Sequence, residues 1–169
     1  MARAGCSIRT PLGTLWAAAT DRGLRRLSFA GVDEVDADGG LEDAPARAVL
    51  RACAEQLQAY FAGALQVFDL PLDLVGTPFQ LAAWQALRAI PYGCTWSYRQ
   101  QASMLGRPQA ARAVGAANAR NPLTIIVPCH RVVGADGALA GYAGGVEIKR
   151  ALLRLEGVKP WADDLLFDP

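Results

Sequence analysis

Two short helices separated by a tight turn are encoded in the second half of this chain. Ser97 and Gln100 form a capping box, in which the hydroxyl and the amide satisfy reciprocal backbone donors, so a helix is predicted from 98 to about 105. Gly106 is suited to end that helix, and a proline two residues later predicts a second helix over 109–118. Two short helices joined by a Gly-containing turn are typical of a helix-turn-helix, so this region is predicted to be a small, mainly helical domain.

The second helix of the pair carries almost no bulky side chains. Its small residues are Ala110, Ala111, Ala113, Gly115, Ala116 and Ala117, and the side chains that protrude are Gln109, Arg112 and Asn118. Such a helix can approach a neighbouring surface closely, whether that surface is another helix or a nucleic-acid groove. The helix alone does not decide between these two alternatives.

Charge divides the chain into segments that differ strongly, although the whole carries a net charge of only +1. Residues 1–75 hold seven basic and ten acidic side chains, residues 76–160 hold ten basic and three acidic ones, and residues 161–169 hold three Asp and no base. We therefore predict an N-terminal domain over 1–75, a C-terminal domain over 76–160 and an acidic tail over 161–169. The basic segment is expected to face a polyanion, and together with the helix pair this favours DNA.

Residues 1–75 have the pattern of a small α/β domain. Alternation and turn residues predict three antiparallel strands, at 6–9, 14–20 and 24–29. An acidic, Gly-rich stretch predicts a surface loop over 31–45, and apolar residues at spacings of three and four predict a helix over 46–61. The apolar stripe of that helix consists of Val49, Leu50, Cys53, Leu57, Tyr60 and Phe61. Alternation over 65–74 predicts one more extended segment. After it, Thr77 is a good N-cap and Pro78 suits the first helical position, so a helix is predicted to begin there and to end at 91–93.

The reactive candidates of the chain are two adjacent residues, Cys129 and His130. A short apolar run predicts a buried strand over 123–127, and a Cys close to its end, beside the only His of the chain, is a natural candidate nucleophile. The alternative is a buried structural thiol, because free Cys is among the most buried residue types. Neighbouring side chains of an extended chain point to opposite sides, so a turn or a bridging water would have to connect Cys129 with His130.

Composition disfavours several other classes of protein. One His, and four Cys at 6, 53, 94 and 129 without a Cys-x-x-Cys pair, predict no metal site, and a papain-like hydrolase would need a distant His that the chain lacks. No run approaches the ~18 apolar residues that span a bilayer, and the first residues lack the apolar core of a signal peptide. We therefore expect a cytoplasmic protein with reduced thiols and no membrane partner.

Three stretches together carry a family resemblance: NPLTIIVPCHRVVG over 121–134, GYAGG over 141–145 and LEG over 155–157. They resemble the methylated-DNA–protein-cysteine methyltransferases, which are the O6-alkylguanine-DNA alkyltransferases of the bacterial Ogt type. The resemblance is strong over 77–157 and weaker over the first 75 residues. It implies a ribonuclease-H-like α/β N-terminal domain and a mainly α, winged-helix-like C-terminal domain, in which a hairpin turned at 134–137 follows the helix-turn-helix.

The resemblance also implies a chemistry, the direct-reversal repair of DNA. An alkyl group would pass irreversibly from O6 of guanine to the thiolate of Cys129, so each molecule would react once; whether O4-alkylthymine is also accepted stays open. His130 would deprotonate Cys129 through a water and would be oriented by Glu156. Tyr98 would supply a proton to N3 of the leaving base, and Asn121 would support the turn around the thiol. No cofactor is implied.

The same resemblance places the second helix of the pair in the minor groove of double-stranded DNA, bound by a monomer. Arg112 would take the place of a nucleotide that is flipped out, because O6 lies inside the duplex. The other implied DNA contacts are Gln109, Ala111, Tyr98 and Arg131, and the implied guanine pocket is lined by Val132, Tyr142, Ala143 and Gly144. Ala143 stands where some members carry Ser, so its backbone amide would bind O6. Cys94 and Trp96 also depart from the family pattern, and we have no functional account of them.

Two other classes stay open at this point. An alkyltransferase-like protein recognises the lesion without transferring the alkyl group, but such proteins lack the reactive Cys that this chain has. A thiol hydrolase or a redox enzyme would turn over repeatedly instead of reacting once.

Overall fold

The structure is a computed structural model of the 169-residue chain and describes residues 4–30, 44–139 and 141–158. The chain divides into two units: the first comprises Met1–Val75 and Pro122–Thr124, and the second comprises Gly76–Asn121 and Ile125–Pro169. Most of the acidic loop predicted over 31–45 and the whole acidic tail predicted over 161–169 lie outside the described residues. Within the described ranges, no helix is both long and apolar enough to cross a membrane.

The first unit is built on the predicted three-stranded meander. Strands β1 (Ala4–Thr10), β2 (Gly13–Thr20) and β3 (Gly23–Ser28) pair antiparallel in the order β1-β2-β3. Helix α1 (Ala44–Phe61) packs on this sheet and begins two residues before the predicted start. Its predicted stripe is buried except for the partly exposed Phe61 at its end. The predicted α/β character of this unit is confirmed.

The stretch 65–74, predicted to be extended, does not form a regular strand, although its end lies against β3. Its ladder contact in the described structure is a single parallel bridge from Leu72 to β3. Asp73 fixes the position of this stretch by accepting hydrogen bonds from Thr20 Oγ1 at 2.6 Å and from Arg25 Nη2 at 2.8 Å. Two backbone bonds to Leu24 and the side-chain bonds of Asp73 therefore hold this stretch together.

The strand predicted over 123–127 is also wrong, although all five residues are buried. Leu123 forms a parallel bridge with Leu27 of β3, and the chain then turns, with Ile125 at a φ of +71°. A β-branched residue in this region of backbone space cannot continue a strand. The apolar run that predicted a buried strand therefore forms a buried turn.

Helices α2 (Pro78–Leu87) and α3 (Tyr98–Met104) of the second unit begin at the predicted caps. In each helix a hydroxyl accepts a bond from the backbone N–H of the Gln three residues later, Thr77 at 3.2 Å and Ser97 at 3.1 Å. The side-chain oxygen of the Gln accepts a second bond, from the backbone N–H of the cap residue, which completes a capping box in both helices. Local hydrogen bonding therefore defines both starting points.

Helix α4 (Ala111–Ala119) follows after a turn, as the helix-turn-helix pattern predicts. Gly106 adopts a φ of +69° after α3, which is the left-handed conformation that glycine allows at a helix end. The helix begins two residues later than the predicted 109–118, because Ala110 N–H bonds to Arg107 O at 2.9 Å and holds the intervening residues in a turn.

Buried polar bonds attach α4 to the two helices before it. Trp84 Nε1 donates to Ala117 O at 2.9 Å. The amides of Gln101 and Asn118 bond reciprocally at 2.9 and 2.8 Å, and Gln101 Nε2 also donates to Ala83 O at 3.1 Å. Because each of these groups is buried, its partner is costly to remove, and the three helices form one framework.

The remainder of the second unit brings distant segments together. Strand β4 (Trp96–Ser97) pairs in parallel with β5 (Val132–Val133), and α5 (Val146–Leu155) is the last helix of the described residues. Gly134 N–H bonds to Ala138 O at 2.8 Å and closes the predicted turn after β5. The residues that follow this turn form no strand in the described structure, so the second half of the predicted hairpin is irregular.

Candidate active site

A sharp change of backbone direction sets the position of Cys129. Its N–H donates to Val127 O at 2.8 Å across Pro128, whose φ of −83° and ψ of 65° are those of an inverse γ-turn. A short 3-10 helix follows over Cys129–Arg131. With three residues per turn, its consecutive side chains diverge by about 120°, so Cys129 and His130 do not point to opposite sides as they would in a strand.

The Cys129 thiol is nearly buried, with 9% of the residue exposed. Asn121 Nδ2 donates to Cys129 Sγ at 3.2 Å and to Val127 O at 2.7 Å, which ties the thiol to the turn. Burial raises the pKa of the Cys129 thiol, while the Asn121 hydrogen bond, the charge of Lys149 and the Cys129 backbone amide act to lower it. The resting group is therefore a thiol, and forming a thiolate nucleophile requires a base.

His130 and Glu156 form a buried pair in the same unit. His130 Nε2 lies 2.8 Å from Glu156 Oε1, and neither side chain is exposed. Burial works against ionisation of Glu156, but hydrogen bonds and charges from His130 and Arg131 lower its pKa to about 2. Burial also lowers the pKa of His130, against the opposing effect of Glu156. At neutral pH the pair consists of a carboxylate and a neutral imidazole.

The charge of Glu156 fixes the tautomer of His130. An ionised carboxylate only accepts hydrogen bonds, so the shared hydrogen lies on Nε2 of the ring. The other nitrogen, Nδ1, then carries a lone pair; it is buried and has no hydrogen-bonding partner among the residues that the structure describes. A basic nitrogen held in this tautomer can accept a proton, directly or through a water, and Cys129, the preceding residue, carries a thiol that can supply one.

The family resemblance implies a DNA contact for Arg131, but the side chain of this residue is bonded inside the protein. Its Nε and Nη2 atoms each donate to Glu156 at 2.9 Å, and Nη1 donates to Ile90 O at 2.7 Å. The guanidinium also lies over the Tyr92 ring, 5.8 Å from its centroid. These contacts bury Arg131 to 7% exposure, so the prediction that its side chain binds DNA is wrong. Its charge instead keeps Glu156 ionised.

A cavity of about 400 Å³ has Cys129 in its wall. The residues that line it are Tyr98, Gly115, Asn118, Ala119, Cys129, Gly141, Tyr142 and Ala143. This volume lies in the range of small-ligand sites. Tyr142 and Ala143 were predicted for the pocket, whereas Val132 is fully buried in β5 and neither Val132 nor Gly144 lines the cavity. Gly115 and Asn118 are not predicted for the pocket from the sequence. The small side chains of α4, which allow close approach, are the feature of the sequence that could have indicated Gly115.

Tyr98 begins α3 and lies in the wall of the same cavity. Gly115 of α4 adjoins its ring, since a Cβ built at Gly115 would lie 3.7 Å from two ring carbons. Burial raises the pKa of the Tyr98 phenol, and the charge of a Cys129 thiolate raises it further. The phenol therefore keeps its proton at neutral pH and can donate a hydrogen bond into the cavity.

Helix α4 has one bare face that is exposed and basic. The exposed residues are Arg112, Ala113, Ala116, Ala119 and Arg120, and their spacing places them on one side of a helix of 3.6 residues per turn. Gln109 is exposed in the turn before the helix, and Ala111 is half-buried at its first position. The exposed face therefore combines two cations with side chains too small to keep a neighbouring surface at a distance.

Sequence reasoning missed one buried charge, Lys149 of α5, which is 1% exposed. It lies on the buried stripe of that helix, which also contains Leu152, Leu153 and, just after the last turn, Glu156. Burial lowers the pKa of Lys149 to about 8, against the opposing effect of a Cys129 thiolate. The signal in the sequence is a Lys at an apolar position of an amphipathic helix, seven residues before Glu156.

A thiol in a cavity wall and a basic, bare helix face are together typical of one class, the cysteine-dependent proteins that act on a polyanion. Two family models match the chain in succession, "6-O-methylguanine DNA methyltransferase, ribonuclease-like domain" over residues 7–74 and "6-O-methylguanine DNA methyltransferase, DNA binding domain" over residues 78–158. The chain belongs to the 6-O-methylguanine DNA methyltransferase family. The predicted family and its two-domain fold, ribonuclease-like and then DNA-binding, are confirmed.

Curated relatives named methylated-DNA–protein-cysteine methyltransferase align with most of the chain. A methylated-DNA–protein-cysteine methyltransferase of Mycobacterium bovis is 60% identical over 114 residues, which are 68% of this chain and 69% of the relative. The protein of the same name from Methanosarcina barkeri is 47% identical over 152 residues, 88% of this chain and 94% of its own length. Mycobacterium tuberculosis OGT, solved in complex with DNA, superposes with a TM-score of 0.81 at 46% identity and covers 97% of this chain and 99% of its own.

Proposed function

We propose that this protein repairs alkylated DNA by direct reversal, taking the alkyl group from O6 of guanine onto Cys129. The observation that carries the proposal is the placement of Cys129 in the cavity wall next to His130, whose basic Nδ1 is buried and whose Nε2 is held by Glu156. The names of the relatives, and the DNA complex of the mycobacterial protein, support the same reaction.

The proposed reaction begins with loss of the thiol proton. Cys129 passes its proton through a water to His130 Nδ1, and the resulting imidazolium is stabilised by the ionised Glu156. The thiolate attacks the alkyl carbon, an S–C bond forms, and the C–O6 bond breaks with its electron pair going to guanine. Tyr98 supplies one proton to the departing guanine and regains one from solvent, while the His130 imidazolium releases to solvent the proton that it took from Cys129, so protons and charge balance. The thioether is stable, and the molecule reacts once.

Two side chains support this transfer. Tyr98, whose phenol stays protonated in the cavity wall, donates toward N3 of the leaving base. Asn121 holds Cys129 Sγ and Val127 O through one amide nitrogen, so it fixes the thiol in the turn. Ala143, also in the cavity wall, offers its backbone amide to O6.

The bare face of α4 is the proposed DNA-reading surface. Its small side chains allow close approach to the minor groove, and Arg112 fills the gap in the base stack after the damaged nucleotide is flipped into the cavity. Gln109 and Ala111 lie at the start of this surface. We interpret α3, α4 and the turn closed by Gly134 and Ala138 as a winged helix-turn-helix. Because the acceptor must be a reduced thiol, we place the monomeric protein in the cytoplasm.

Titration of a DNA duplex that contains one O6-methylguanine separates this function from its alternatives. We expect the amount of repaired guanine to reach a plateau at one per protein molecule. Repair that continues beyond one equivalent would indicate a hydrolase or redox enzyme. Binding of the duplex without any repair would indicate an alkyltransferase-like recognition module.

A further inference from the structure

Helix α5 places two buried charged groups on one face. Lys149 is 1% exposed and Glu156 is 4% exposed, and the buried Leu152 and Leu153 lie between them. Seven residues of helix cover about 10.5 Å and return to nearly the same side of the axis, so both groups face inward, one at each end of the stripe.

The inward face of α5 packs against the 3-10 turn Cys129–Arg131. At one end of the stripe, Glu156 is bonded to His130 and Arg131, which engage both of its carboxylate oxygens. Toward the other end, Lys149 is buried on the same inward face, and its positive charge acts to lower the pKa of both Cys129 and His130. One helix therefore supplies an anion for the base and a cation for the acceptor thiol.

The other described groups around the thiol do not supply a positive charge that could stabilise a thiolate. Tyr98 of α3 is a neutral phenol, His130 is a neutral imidazole before the reaction, and the Arg131 guanidinium is bound to the Glu156 carboxylate. Asn121 donates one neutral hydrogen bond to the sulfur. In a site with this little access to water, a nearby cation favours the thiolate over the thiol.

We propose that Lys149 is a positioning residue for the alkyl transfer, its ammonium group stabilising the Cys129 thiolate as the thiol proton passes to His130. The inference rests on the proposed transfer to Cys129 and adds the group that makes the thiolate accessible in a buried site. Lys149 keeps its own proton throughout, and no bond to it forms or breaks. Its charge also disfavours a second positive charge on His130, so the base is returned to its neutral form after the transfer.

The pH dependence of the bare thiol tests this role without DNA. We would measure the rate at which iodoacetamide alkylates Cys129 across roughly pH 5 to 10, by mass spectrometry of the tryptic peptide 121–131, which excludes the other three thiols. In Lys149→Met, which has similar length and no charge, the alkylation rate near neutral pH should fall about tenfold. The difference from wild type should disappear as the pH rises past about 8, where the wild-type Lys149 itself loses its proton.

The charge-conserving variant separates electrostatics from packing. Lys149→Arg should restore the wild-type rate near neutral pH, and Lys149→Gln serves as the uncharged variant if Lys149→Met does not fold. An unchanged midpoint in the uncharged variant, with the same loss of rate at every pH, would overturn the proposal. Because iodoacetamide needs no lesion, failure of the chain to repair O6-methylguanine would refute the proposed function while leaving this result readable.

Discussion

Glu156 Oε1 lies 2.8 Å from His130 Nε2, although 26 positions separate the two residues in the chain. The same carboxylate accepts two bonds from Arg131, so a single buried anion is held by one base and one cation. The anion fixes the tautomer that leaves His130 Nδ1 free of hydrogen, and it stabilises the imidazolium that forms when Cys129 loses its proton. The chemistry of the thiol therefore depends on the residue that ends helix α5.

Substitution Glu156→Gln is expected to lower both stability and activity. The variant leaves the buried Arg131 without its counter-charge, which should reduce the free energy of unfolding by roughly 3–5 kcal/mol. The neutral amide also stabilises the His130 imidazolium less well, so the alkyl-transfer rate should fall by about a hundredfold. Urea unfolding and single-turnover rates, compared at equal folded fraction, measure the two effects separately.

Glu147→Gln is the matched control, because it removes a carboxylate from the same helix. The Glu147 side chain is 86% exposed and pairs with Arg150 at 2.7 Å on the surface. Its loss should change the free energy of unfolding by no more than about 0.5 kcal/mol and should leave transfer intact. Equal effects of the two substitutions would show that the buried position of Glu156 is unimportant.

The buried pair predicts that stability falls in acid. Glu156 has a folded pKa of about 2 against an ordinary value of 4.5, so its stabilisation is complete above about pH 4.5 and is lost as the pH falls toward 2. The pKa of His130 is also lowered, so below its ordinary value of 6.5 the unfolded chain takes up a proton that the folded chain does not. Both groups therefore act in the same direction.

Urea unfolding at a series of pH values checks this prediction. Wild-type stability should decline as the pH drops below about 6.5 and decline further below about 4.5. Glu156→Gln should lose the contribution of Glu156 to the lower part of this dependence, while Asp73, whose pKa is also lowered by its hydrogen bonds, keeps its own. A wild-type stability that stays constant between neutral pH and pH 4 would contradict the assigned ionisation states.

Asn121→Ala is expected to slow transfer by weakening the hold on the thiol. The Asn121 amide donates to Cys129 Sγ and to Val127 O, and the first of these bonds acts to lower the pKa of the thiol. Its loss should raise that pKa by about one unit, which costs about tenfold in the rate near neutral pH. The pH dependence of alkylation by iodoacetamide, followed in the peptide 121–131, gives the shift for this thiol alone, and an unchanged thiol pKa in Asn121→Ala would count against this role.

Arg112→Ala is expected to impair repair of duplex DNA selectively. If Arg112 replaces the flipped nucleotide in the stack, its loss should reduce repair of a duplex by about tenfold but spare reaction with a free O6-alkylguanine base, which needs no flipping. Arg51→Ala is the control, since it removes an exposed Arg of α1 in the other unit. Equal losses of Arg112→Ala on both substrates would exclude the proposed insertion.

Local signals predicted the helical framework of the second unit well. The hydroxyls of Thr77 and Ser97 cap helices through bonds only three residues long, and Gly106 ends α3 in the conformation that glycine alone adopts easily. Such features depend on neighbours in the chain, so the sequence contains all the information that they need.

Long-range pairing is what the sequence alone could not define. Arg131 is a cation in the basic segment, which favoured a DNA contact. Its partner Glu156, however, lies 25 positions away in the sequence, and the bonds between them hold the guanidinium inside the protein. An apolar run at 123–127 fitted a strand, and the φ of +71° at Ile125, which breaks it, leaves no mark in the hydrophobic pattern. Lys149 was missed for the same reason, since its burial follows from how α5 packs and not from its neighbours in the chain.

Intact-mass spectrometry after incubation with a duplex that contains O6-methylguanine tests the central claim most directly. The account predicts a gain of one methyl group per protein molecule, located in the peptide 121–131, and no gain in Cys129→Ser. Cys94→Ser, which removes the exposed thiol, should gain the methyl group as wild type does. Repaired DNA without a mass gain, or a methyl group that persists in Cys129→Ser, would contradict the assignment of Cys129 as the acceptor.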